Sequence, residues 1–348
     1  MTVTAPQISS DLSPIEHLLA MAAEDMAKVD IIIRARMQSQ VGMIPDLAEH
    51  LVGAGGKRLR PLLTIAAAHL CAYDGEHHFK LAAAVEFIHS ATLLHDDVVD
   101  LSTKRRGKKA ANLIWGNAPS ILVGDFLFAR AFNLMVETNS MQALKILSTA
   151  SSVIAEGEVQ QLAGLRDVNM TVDTYMQVIG AKTAALFAAA AEVSPVLAKC
   201  GSEKQNALRT YGQELGLAFQ LVDDALDYGG YEIALGKSIG DDFREGKMTL
   251  PVIIAYTNAV RNNDEEAMTF WHRVIVEHKQ MSNDLTIATD YLERENALEA
   301  TLDAAREHIK KAKSALDIFG DDGENGANVL EWKSALIRLA DFVVSRVS

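Results

Sequence analysis

Long stretches of this chain contain no proline, the residue that breaks helices most strongly. The 348 residues include seven prolines, and between Pro61 and Pro251 the only two are Pro119 and Pro195. The segments around them, such as the one at 80–100, repeat apolar residues at helical spacing, and we find no alternating strand pattern. Hydrophobic residues make up 49% of the chain, enough to bury a large core. The sequence therefore predicts an all-α fold built from long helices.

The same pattern predicts one folded unit. Residues 1–12 read as a disordered tail, and no Gly-, Ser- or Pro-rich linker divides residues 13–348, which we expect to form a single helical bundle around a central cavity. Ser13 and Glu16 flank a proline in a capping-box pattern that predicts a helix start. Ser202 with Gln205 predicts a second one.

Charge and cysteine content narrow the possible partners and location. A net charge of −13 argues against nucleic acid or an anionic membrane surface as the main partner, because both bind clustered positive charge. Cys71 and Cys200 lack metal-ligand spacing and read as ordinary buried thiols. The N-terminal stretch has no signal-peptide pattern, and no run of about 18 apolar residues occurs. We therefore expect a cytoplasmic protein.

Two acidic triplets of the same DDxxD spacing interrupt apolar helical segments. Asp96 and Asp100 are four residues apart, so on a helix they share one face, with Asp97 about 100° away. The second triplet, Asp223, Asp224 and Asp227, repeats this geometry. Like charges at this spacing repel each other, so carboxylates flanked by core-like residues need compensation.

A divalent cation would provide that compensation. Mg²⁺ prefers oxygen ligands and typically binds one or two carboxylates together with substrate phosphate oxygens, and Mn²⁺ is the natural substitute. The alternative is a solvated acidic helix end, which would explain one triplet alone. Two triplets of equal spacing, each at the end of an apolar helix, favour a metal site.

Basic residues follow or precede each triplet in a chain that is otherwise acidic. Arginine offers forked contacts to phosphate and lysine offers a point charge, so these groups indicate two diphosphate pockets. Each run alone would read as a solvated surface. The residues concerned are Lys57, Arg58, Arg60, Arg105, Arg106, Lys182, Lys237 and Lys247, with Thr183 beside Lys182.

Six motifs, taken in order, resemble those of the trans-type polyprenyl diphosphate synthases. They are GGKRLRP at 55–61, EFIHSATLLHDDVVD at 86–100, RRG at 105–107, KT at 182–183, FQLVDDALDY at 219–228 and GKSIGDDFREGK at 236–247. The resemblance is close over about residues 15–260 and looser beyond. It implies an isoprenyl chain-elongating enzyme that uses isopentenyl diphosphate and an allylic diphosphate, and such enzymes are normally homodimers.

The resemblance also implies residue roles. Asp96, Asp100 and Asp223 would hold the metal ions, while Asp97, Asp224 and Asp227 would assist them. His89, which alone would read as a core histidine, joins the group expected to hold isopentenyl diphosphate, namely Lys57, Arg60, His89 and Arg106. The group expected to contact the allylic substrate is Arg105, Lys182, Gln220, Lys237 and Lys247, with Thr183 close by.

Product length is expected to depend on the residues one turn before the first triplet. These are Ala91 and Thr92, where the short-chain members of the family carry bulky aromatic residues. Small side chains imply an open tunnel and an octaprenyl to decaprenyl product, as used for ubiquinone side chains. Four residues are possible tunnel floors: Phe132, Met135, Leu147 and Val153. Such an insoluble product would require transient membrane contact for its release.

Three alternatives stay open from the sequence. A shorter-chain synthase would share every motif. A terpene cyclase or a head-to-head condensing enzyme would share the first triplet, but the intact second triplet argues against both. A non-catalytic partner subunit or a plain metal-binding helical protein would not need both triplets and the basic set.

Overall fold

The computed structural model describes residues 12–53, 56–229, 239–320 and 326–346. Over these ranges the chain is almost entirely helical, as predicted. The α-helices, numbered here in chain order, are α1 (Pro14–Met21), α2 (Ala23–Met37), α3 (Met43–Val52), α4 (Leu59–Leu70), α5 (His77–Val99), α6 (Ala111–Trp115), α7 (Asn117–Val136), α8 (Met141–Ala163), α9 (Val172–Ile179), α10 (Ala185–Leu197), α11 (Gly201–Leu226), α12 (Asp241–Glu245), α13 (Leu250–Asn262), α14 (Glu265–Trp271), α15 (Asp284–Arg294), α16 (Ala297–Ala315) and α17 (Gly326–Ser345).

Three short helical turns of other types extend these helices. A π-helical turn, Gly180–Ala184, joins α9 directly to α10, and a second, His272–Val276, follows α14. A 3₁₀ turn, Leu316–Ile318, ends α16. π turns are rare and occur often at functional sites. The first one, between α9 and α10, is therefore a candidate part of such a site.

Helix starts were predicted with mixed success. α1 begins at Pro14 with the predicted capping box, because the Ser13 hydroxyl accepts from the Glu16 amide and the Glu16 carboxylate accepts from the Ser13 amide. The predicted Ser202 cap is wrong. α11 already begins at Gly201, so Ser202 lies inside its first turn, where its side chain makes no cap.

The centre of the molecule is α10, which packs against α4, α5, α8 and α11. Its contact with α11 is close because Gly212 and Gly216 lie on the facing side of α11. A Cβ atom at Gly212 would lie 2.4 Å from the Phe187 carbonyl oxygen, and one at Gly216 would lie 2.6 Å from the Ala184 Cα. The two glycines therefore fix how far the second triplet, at the end of α11, stands from the π turn.

The basic segment after α5 is a small hairpin. Strand β1 (Lys104–Arg105) pairs antiparallel with β2 (Lys108–Lys109), with Lys104 opposite Lys109. Arg106 and Gly107 form the two-residue turn with φ of 51° and 76°, the positive values that such hairpin turns require. The turn carries Arg106 back toward the first triplet.

Within the described ranges, two helical segments are long and apolar enough to cross a membrane by length and composition, and the core helices of soluble proteins pass the same test. The Val172–Leu197 segment is 61% buried inside the bundle. The Asn117–Val136 helix, α7, is only 39% buried. Much of the apolar surface of α7 therefore faces outward.

Candidate active site

A cavity of about 620 Å³ opens between the C-terminal ends of α5 and α11. Phe187 and Phe219 are among its lining residues, and cations lie over both rings: Arg60 over Phe187 and Arg346 over Phe219. The cations that line it are Lys57, Arg58, Arg60, Lys104, Arg105, Arg106, Lys182, Lys247 and Arg346. The carboxylates that line it are Glu86, Asp96, Asp100, Glu158, Asp223, Asp224, Asp227, Asp241, Asp242 and Glu245.

The first triplet divides between the cavity and the protein interior. Asp96 and Asp100 line the cavity one helical turn apart, and burial raises the pKa of Asp96 while Lys182 acts against that rise. Asp97 is 1% exposed and turns away, because its Oδ1 accepts hydrogen bonds from Arg105 Nε at 2.9 Å and Nη2 at 2.6 Å. Asp97 thereby holds Arg105, the strand residue that precedes the hairpin turn.

The second triplet divides in a similar way. Asp223 lines the cavity, and its Oδ1 lies 3.0 Å from Nη1 of Arg346, just beyond the end of α17. Asp227 ends α11, and its carboxylate accepts from the backbone N–H groups of Asp241 and Asp242 at 3.2 and 3.0 Å. Asp227 therefore caps the N-terminus of α12 and ties that helix to the end of α11.

Asp224 belongs to a chain of buried hydrogen bonds. Its carboxylate accepts from the Tyr175 hydroxyl at 2.5 Å and from the Gln220 amide at 2.7 Å. The Gln220 carbonyl oxygen in turn accepts from the Thr183 hydroxyl at 2.8 Å. Burial, with the nearby Asp242 carboxylate, raises the pKa of Asp224 to about 8. The chain fixes the orientation of Gln220 and Thr183 relative to α11.

Lys182 projects from the π turn between the first triplet and α8. Its Nζ donates to Glu158 Oε2 at 2.7 Å and to Gln161 Oε1 at 2.8 Å, and it lies 3.8 Å from Asp96 Oδ2. Burial, and then the Asp96 carboxylate, raise the pKa of Glu158. One ammonium group thus bridges carboxylates on α5 and α8.

Lys247 lies across the cavity mouth, just beyond α12. Its ammonium pairs with Glu245 and stands 3.4 Å from Asp100 and 3.9 Å from Asp242. Burial acts to lower the pKa of Lys247, but these three carboxylates, with Asp242 the strongest, raise it. Lys237, the other lysine predicted for this group, lies outside the described residues.

The residues predicted to hold the second diphosphate form a separate basic corner. Arg60 donates to His89 Nε2 at 3.2 Å and lies 4.4 Å above the Phe187 ring. Burial lowers the pKa of Arg60 to about 10, and burial and the adjacent arginines lower the pKa of His89 well below its usual value. His89 is therefore a neutral imidazole that accepts from Arg60.

Arg106 and Lys57 complete that corner. Gly56 adopts φ +143°, and a Cβ atom there would lie 2.6 Å from the Arg106 guanidinium carbon, so only glycine lets Arg106 reach this position. The Lys57 ammonium lies 4.9 Å from the centre of the Phe342 ring. Burial, and then the nearby Arg346 charge, lower the pKa of Lys57.

Sequence reasoning missed several residues that line this site, four of which lie close to predicted ones. These four are Arg346, Glu158, Tyr175 and Glu86, which lie on or beside α17, α8, α9 and α5. Glu86 is buried, and burial raises its pKa while Arg58, Arg106 and Arg60 act against that rise. Glu86 and Tyr175 resemble core residues in sequence, and Arg346 lies outside the matched motifs. For Glu158 the local signal was the glycine before it in the GEVQQL segment of α8, Gly157, which is buried in the structure.

The two predicted chain-length residues differ in position. Thr92 lines the cavity, with its hydroxyl donating to the His89 carbonyl oxygen at 2.8 Å. Ala91 is 0% exposed and packs into the core beside it. Of the four possible tunnel-floor residues, Met135 and Leu147 are fully buried, Val153 is half-buried and Phe132 is 39% exposed.

The donor set suits a hard cation. Over the described ranges, no three Asp, Glu, His or Cys side chains converge closely enough to hold a metal ion by themselves. The cavity nevertheless presents Asp96, Asp100 and Asp223 from the ends of α5 and α11, and burial raises the pKa of Asp96. Carboxylates arranged in this way fit a divalent cation that completes its shell with water and substrate phosphate oxygens.

Comparisons with known proteins agree with this site. The chain is 43% identical over 335 residues to octaprenyl diphosphate synthase of Escherichia coli (strain K12), covering 95% of this chain and 99% of that one. It is 54% identical, with a TM-score of 0.89, to a polyprenyl synthase from Caulobacter crescentus CB15 complexed with calcium and isoprenyl diphosphate, covering 99% and 100%. A decaprenyl diphosphate synthase from Rhodobacter capsulatus is 48% identical, with a TM-score of 0.88 and coverage of 96% and 100%.

The part of the chain that matches a family model contains most of the residues that line the cavity. A sequence model described as polyprenyl synthetase matches residues 42–290, a range that contains both acidic triplets and every predicted basic residue. The relatives extend the likeness to nearly the whole chain. The chain therefore belongs to the polyprenyl synthetase family.

Proposed function

We propose that this protein is a divalent-cation-dependent prenyltransferase that adds isopentenyl diphosphate units successively to an allylic diphosphate. Its product would be a long all-trans polyprenyl diphosphate, octaprenyl to decaprenyl, used for the ubiquinone side chain. One observation carries the proposal most directly. The folded chain brings members of two acidic triplets, which lie far apart in sequence, to one cavity that nine cations of the described residues also line.

The charged wall divides into two anion-binding regions. Lys182 and Lys247, beside Asp96 and Asp100, would hold the allylic diphosphate, with Gln220, Thr183 and Arg105 close by. Lys57, Arg60, His89 and Arg106 would hold the diphosphate of isopentenyl diphosphate. His89 can serve there as a neutral imidazole, since Arg60 already donates to its Nε2.

Chemistry at this site needs no nucleophilic side chain. A divalent cation bound by Asp96, Asp100 and Asp223, which we propose to be Mg²⁺ with Mn²⁺ as a substitute, would supply positive charge to the diphosphate as the allylic C–O bond ionises. Lys182 and Lys247 add fixed positive charge at the same end of the cavity. Phe187, Phe219 and other apolar lining residues would keep water away from the allylic carbocation while the isopentenyl double bond attacks it. The resulting cation then loses a proton, which restores a double bond in the lengthened chain.

The relatives support a long product. The Escherichia coli relative is an octaprenyl synthase, and the Rhodobacter capsulatus structure is a decaprenyl synthase. Thr92 on the cavity wall and Ala91 beside it are small, which leaves room for a growing chain. A product of this length is insoluble in water, so we also propose transient membrane contact at release by an otherwise cytoplasmic enzyme.

A homodimer accounts for the exposed apolar surface of α7 and α8. The side chains of Ile121, Leu122, Phe132, Val159 and Leu162 are between 39% and 68% exposed. An outward-facing apolar surface of this kind commonly marks a protein interface. We propose that a second copy of the chain covers this surface, which we call the α7/α8 face.

The first experiment is to incubate the purified protein with farnesyl diphosphate, labelled isopentenyl diphosphate and Mg²⁺. The products are then dephosphorylated and separated by chromatography. We expect one dominant polyprenol of eight to ten prenyl units, and loss of incorporation when EDTA is added or Asp96 is changed to Asn. Products that stop at four or five units would instead identify a shorter-chain synthase. No incorporation by folded protein would support a non-catalytic subunit.

A further inference from the structure

Two side chains of α8 hold the Lys182 ammonium group. Glu158 Oε2 and Gln161 Oε1 accept from Nζ at 2.7 and 2.8 Å, so two of its three N–H donors are directed toward α8. Asp96 Oδ2 lies farther from Nζ, at 3.8 Å. The positions of these acceptors, rather than the lysine stem alone, determine where this charge lies. We call Glu158 and Gln161 the α8 clamp.

The backbone is shaped to make this contact possible. Gly157 of α8 lies against the π turn, where a Cβ atom would come within 2.7 Å of the Ala181 Cβ and 2.9 Å of the Lys182 backbone nitrogen. The π turn itself places one extra residue in the helix and displaces Lys182 toward α8. A close helix approach and a rare turn therefore meet at the residue that carries the charge.

The clamp also has a defined electrostatic effect. Glu158 and Lys182 are both largely but not fully withdrawn from solvent, with 27% and 21% of their side chains exposed. A flexible lysine in such a place would otherwise move toward the Asp96 carboxylate. Hydrogen bonds to a charged acceptor are stronger than neutral ones, so Glu158 is the principal restraint and Gln161 the lesser one.

We propose that Glu158, assisted by Gln161, is a positioning residue that fixes Lys182 Nζ between the first acidic triplet and the allylic diphosphate. The inference rests on the proposed function, because it takes Lys182 as a contact of that substrate. It adds a role for α8 that the DDxxD and basic motifs do not contain. Glu158 acts through Lys182 rather than on the reacting atoms.

A double-mutant cycle tests this dependence directly. The variants are Glu158→Ala, Glu158→Gln, Lys182→Ala and the double variant Glu158→Ala with Lys182→Ala. Glu156→Gln is the matched control, an exposed glutamate two residues earlier on the same helix. For each protein, kcat and KM for farnesyl diphosphate are measured with Mg²⁺, and the Kd for farnesyl thiolodiphosphate is measured by calorimetry.

We expect Glu158→Ala to lower kcat/KM for farnesyl diphosphate, and to weaken thiolodiphosphate binding, by about tenfold. Glu158→Gln, which keeps an oxygen acceptor, should lose less. In the Lys182→Ala background the same Glu158→Ala change should alter either quantity by less than about twofold. Glu156→Gln should match wild type, and thermal unfolding identifies any variant that fails to fold.

Two results would overturn the proposal. An equal loss from Glu158→Ala with and without Lys182 would mean that Glu158 acts independently of the lysine. Wild-type kinetics in a folded Glu158→Ala protein would mean that the clamp has no role. If the wild-type enzyme itself fails to elongate farnesyl diphosphate, the proposed function fails, and the thiolodiphosphate binding cycle still decides whether Glu158 acts through Lys182.

Discussion

The aspartates of the two triplets differ in task because their carboxylates face different partners. Asp96 and Asp223 both line the cavity, whereas Asp97 pairs with Arg105 and is buried. Asp227 caps α12 and so positions the segment that carries Lys247. A substitution in either motif would therefore act through a different cause at each position, from lost metal affinity to a displaced helix.

Thr92 gives the sharper test of product length. Its side chain lines the cavity, so Thr92→Phe should block the growing chain and shorten the product while the protein stays folded. Ala91 is fully buried, so Ala91→Phe adds volume to the core and should lower the free energy of unfolding by about 1–3 kcal/mol. Product chromatography and thermal unfolding are measured for both variants. An unchanged product from a folded, active Thr92→Phe enzyme would exclude this wall from length control.

Arg346 should contribute to binding isopentenyl diphosphate. It lies 3.0 Å from Asp223 and is close enough to Lys57 to lower the pKa of that lysine. We expect Arg346→Ala to raise KM for isopentenyl diphosphate about tenfold, with a smaller effect on KM for farnesyl diphosphate. Arg346→Lys should give a KM for isopentenyl diphosphate between those of the wild type and Arg346→Ala, because lysine keeps the charge but lacks the guanidinium fork. Arg338→Ala, an exposed change on the same helix, is the control, and equal effects on both substrates would contradict the assignment.

For single residues, the sequence predicted those features that depend only on neighbours along the same helix. Spacing along one helix was enough to put Asp96 and Asp100 on one face, because helix geometry is set within a few residues. The partners of these carboxylates come from remote segments, and no periodicity in the first triplet could indicate that Arg346 would meet Asp223. The burial of Asp97 was equally hidden, since it depends on where the hairpin places Arg105.

The helices themselves explain how the cavity is held in shape. α10 and α11 approach closely through Gly212 and Gly216, and the buried chain from Tyr175 through Asp224 and Gln220 to Thr183 ties α9, α11 and the π turn together. Periodicity and the scarcity of proline predicted these helices. The π turn and the hairpin were not predicted, because each depends on tertiary contacts more than on composition.

The N-terminal end of α5 should make stability depend on pH. His78 is 4% exposed, and burial lowers its pKa to about 4. Its folded pKa lies below the unfolded one, so the stability it contributes is complete above about pH 6.5 and is lost as the pH falls toward 4. Between pH 7 and 5 the loss should be roughly 1–2 kcal/mol.

Urea unfolding at several pH values checks this expectation. His78→Gln, which cannot ionise, should show a smaller loss of unfolding free energy from pH 7 to 5 than the wild-type protein. His77→Gln controls for removing an imidazole from the same helix. Parallel pH profiles for His78→Gln and the wild type would show that His78 is not the group responsible.

Across the whole molecule, charge is distributed unevenly. The chain carries a net charge of −13, yet nine cations line one cavity. Composition alone argued against polyanions as general partners but could not show that these cations meet in one cavity, where ten carboxylates of the described residues also lie. Only the fold reveals that cations from both ends of the sequence, Lys57 and Arg346, serve the same pocket.

Assembly is tested on the α7/α8 face. Leu122 is 66% and Val159 is 68% exposed, so Leu122→Lys together with Val159→Lys should convert a dimer into a monomer. Size-exclusion chromatography with light scattering measures the mass. Ile31→Lys, at a 68% exposed apolar residue on α2, is the matched control and should leave the dimer intact. A dimer that survives the double change, or a monomeric wild type, would remove this face from the proposed interface.

The π turn between α9 and α10 contains one residue more than a regular α-helical turn would at this place. Restoring regular α geometry by losing a single residue there would improve the backbone hydrogen bonds but rotate Lys182 and Thr183 away from α8 and α11. Stability and activity thus make opposite demands on this one position. Efforts to make the enzyme more heat-resistant should therefore leave Gly180–Ala184 untouched, since the most regular version of this helix would be the least useful one.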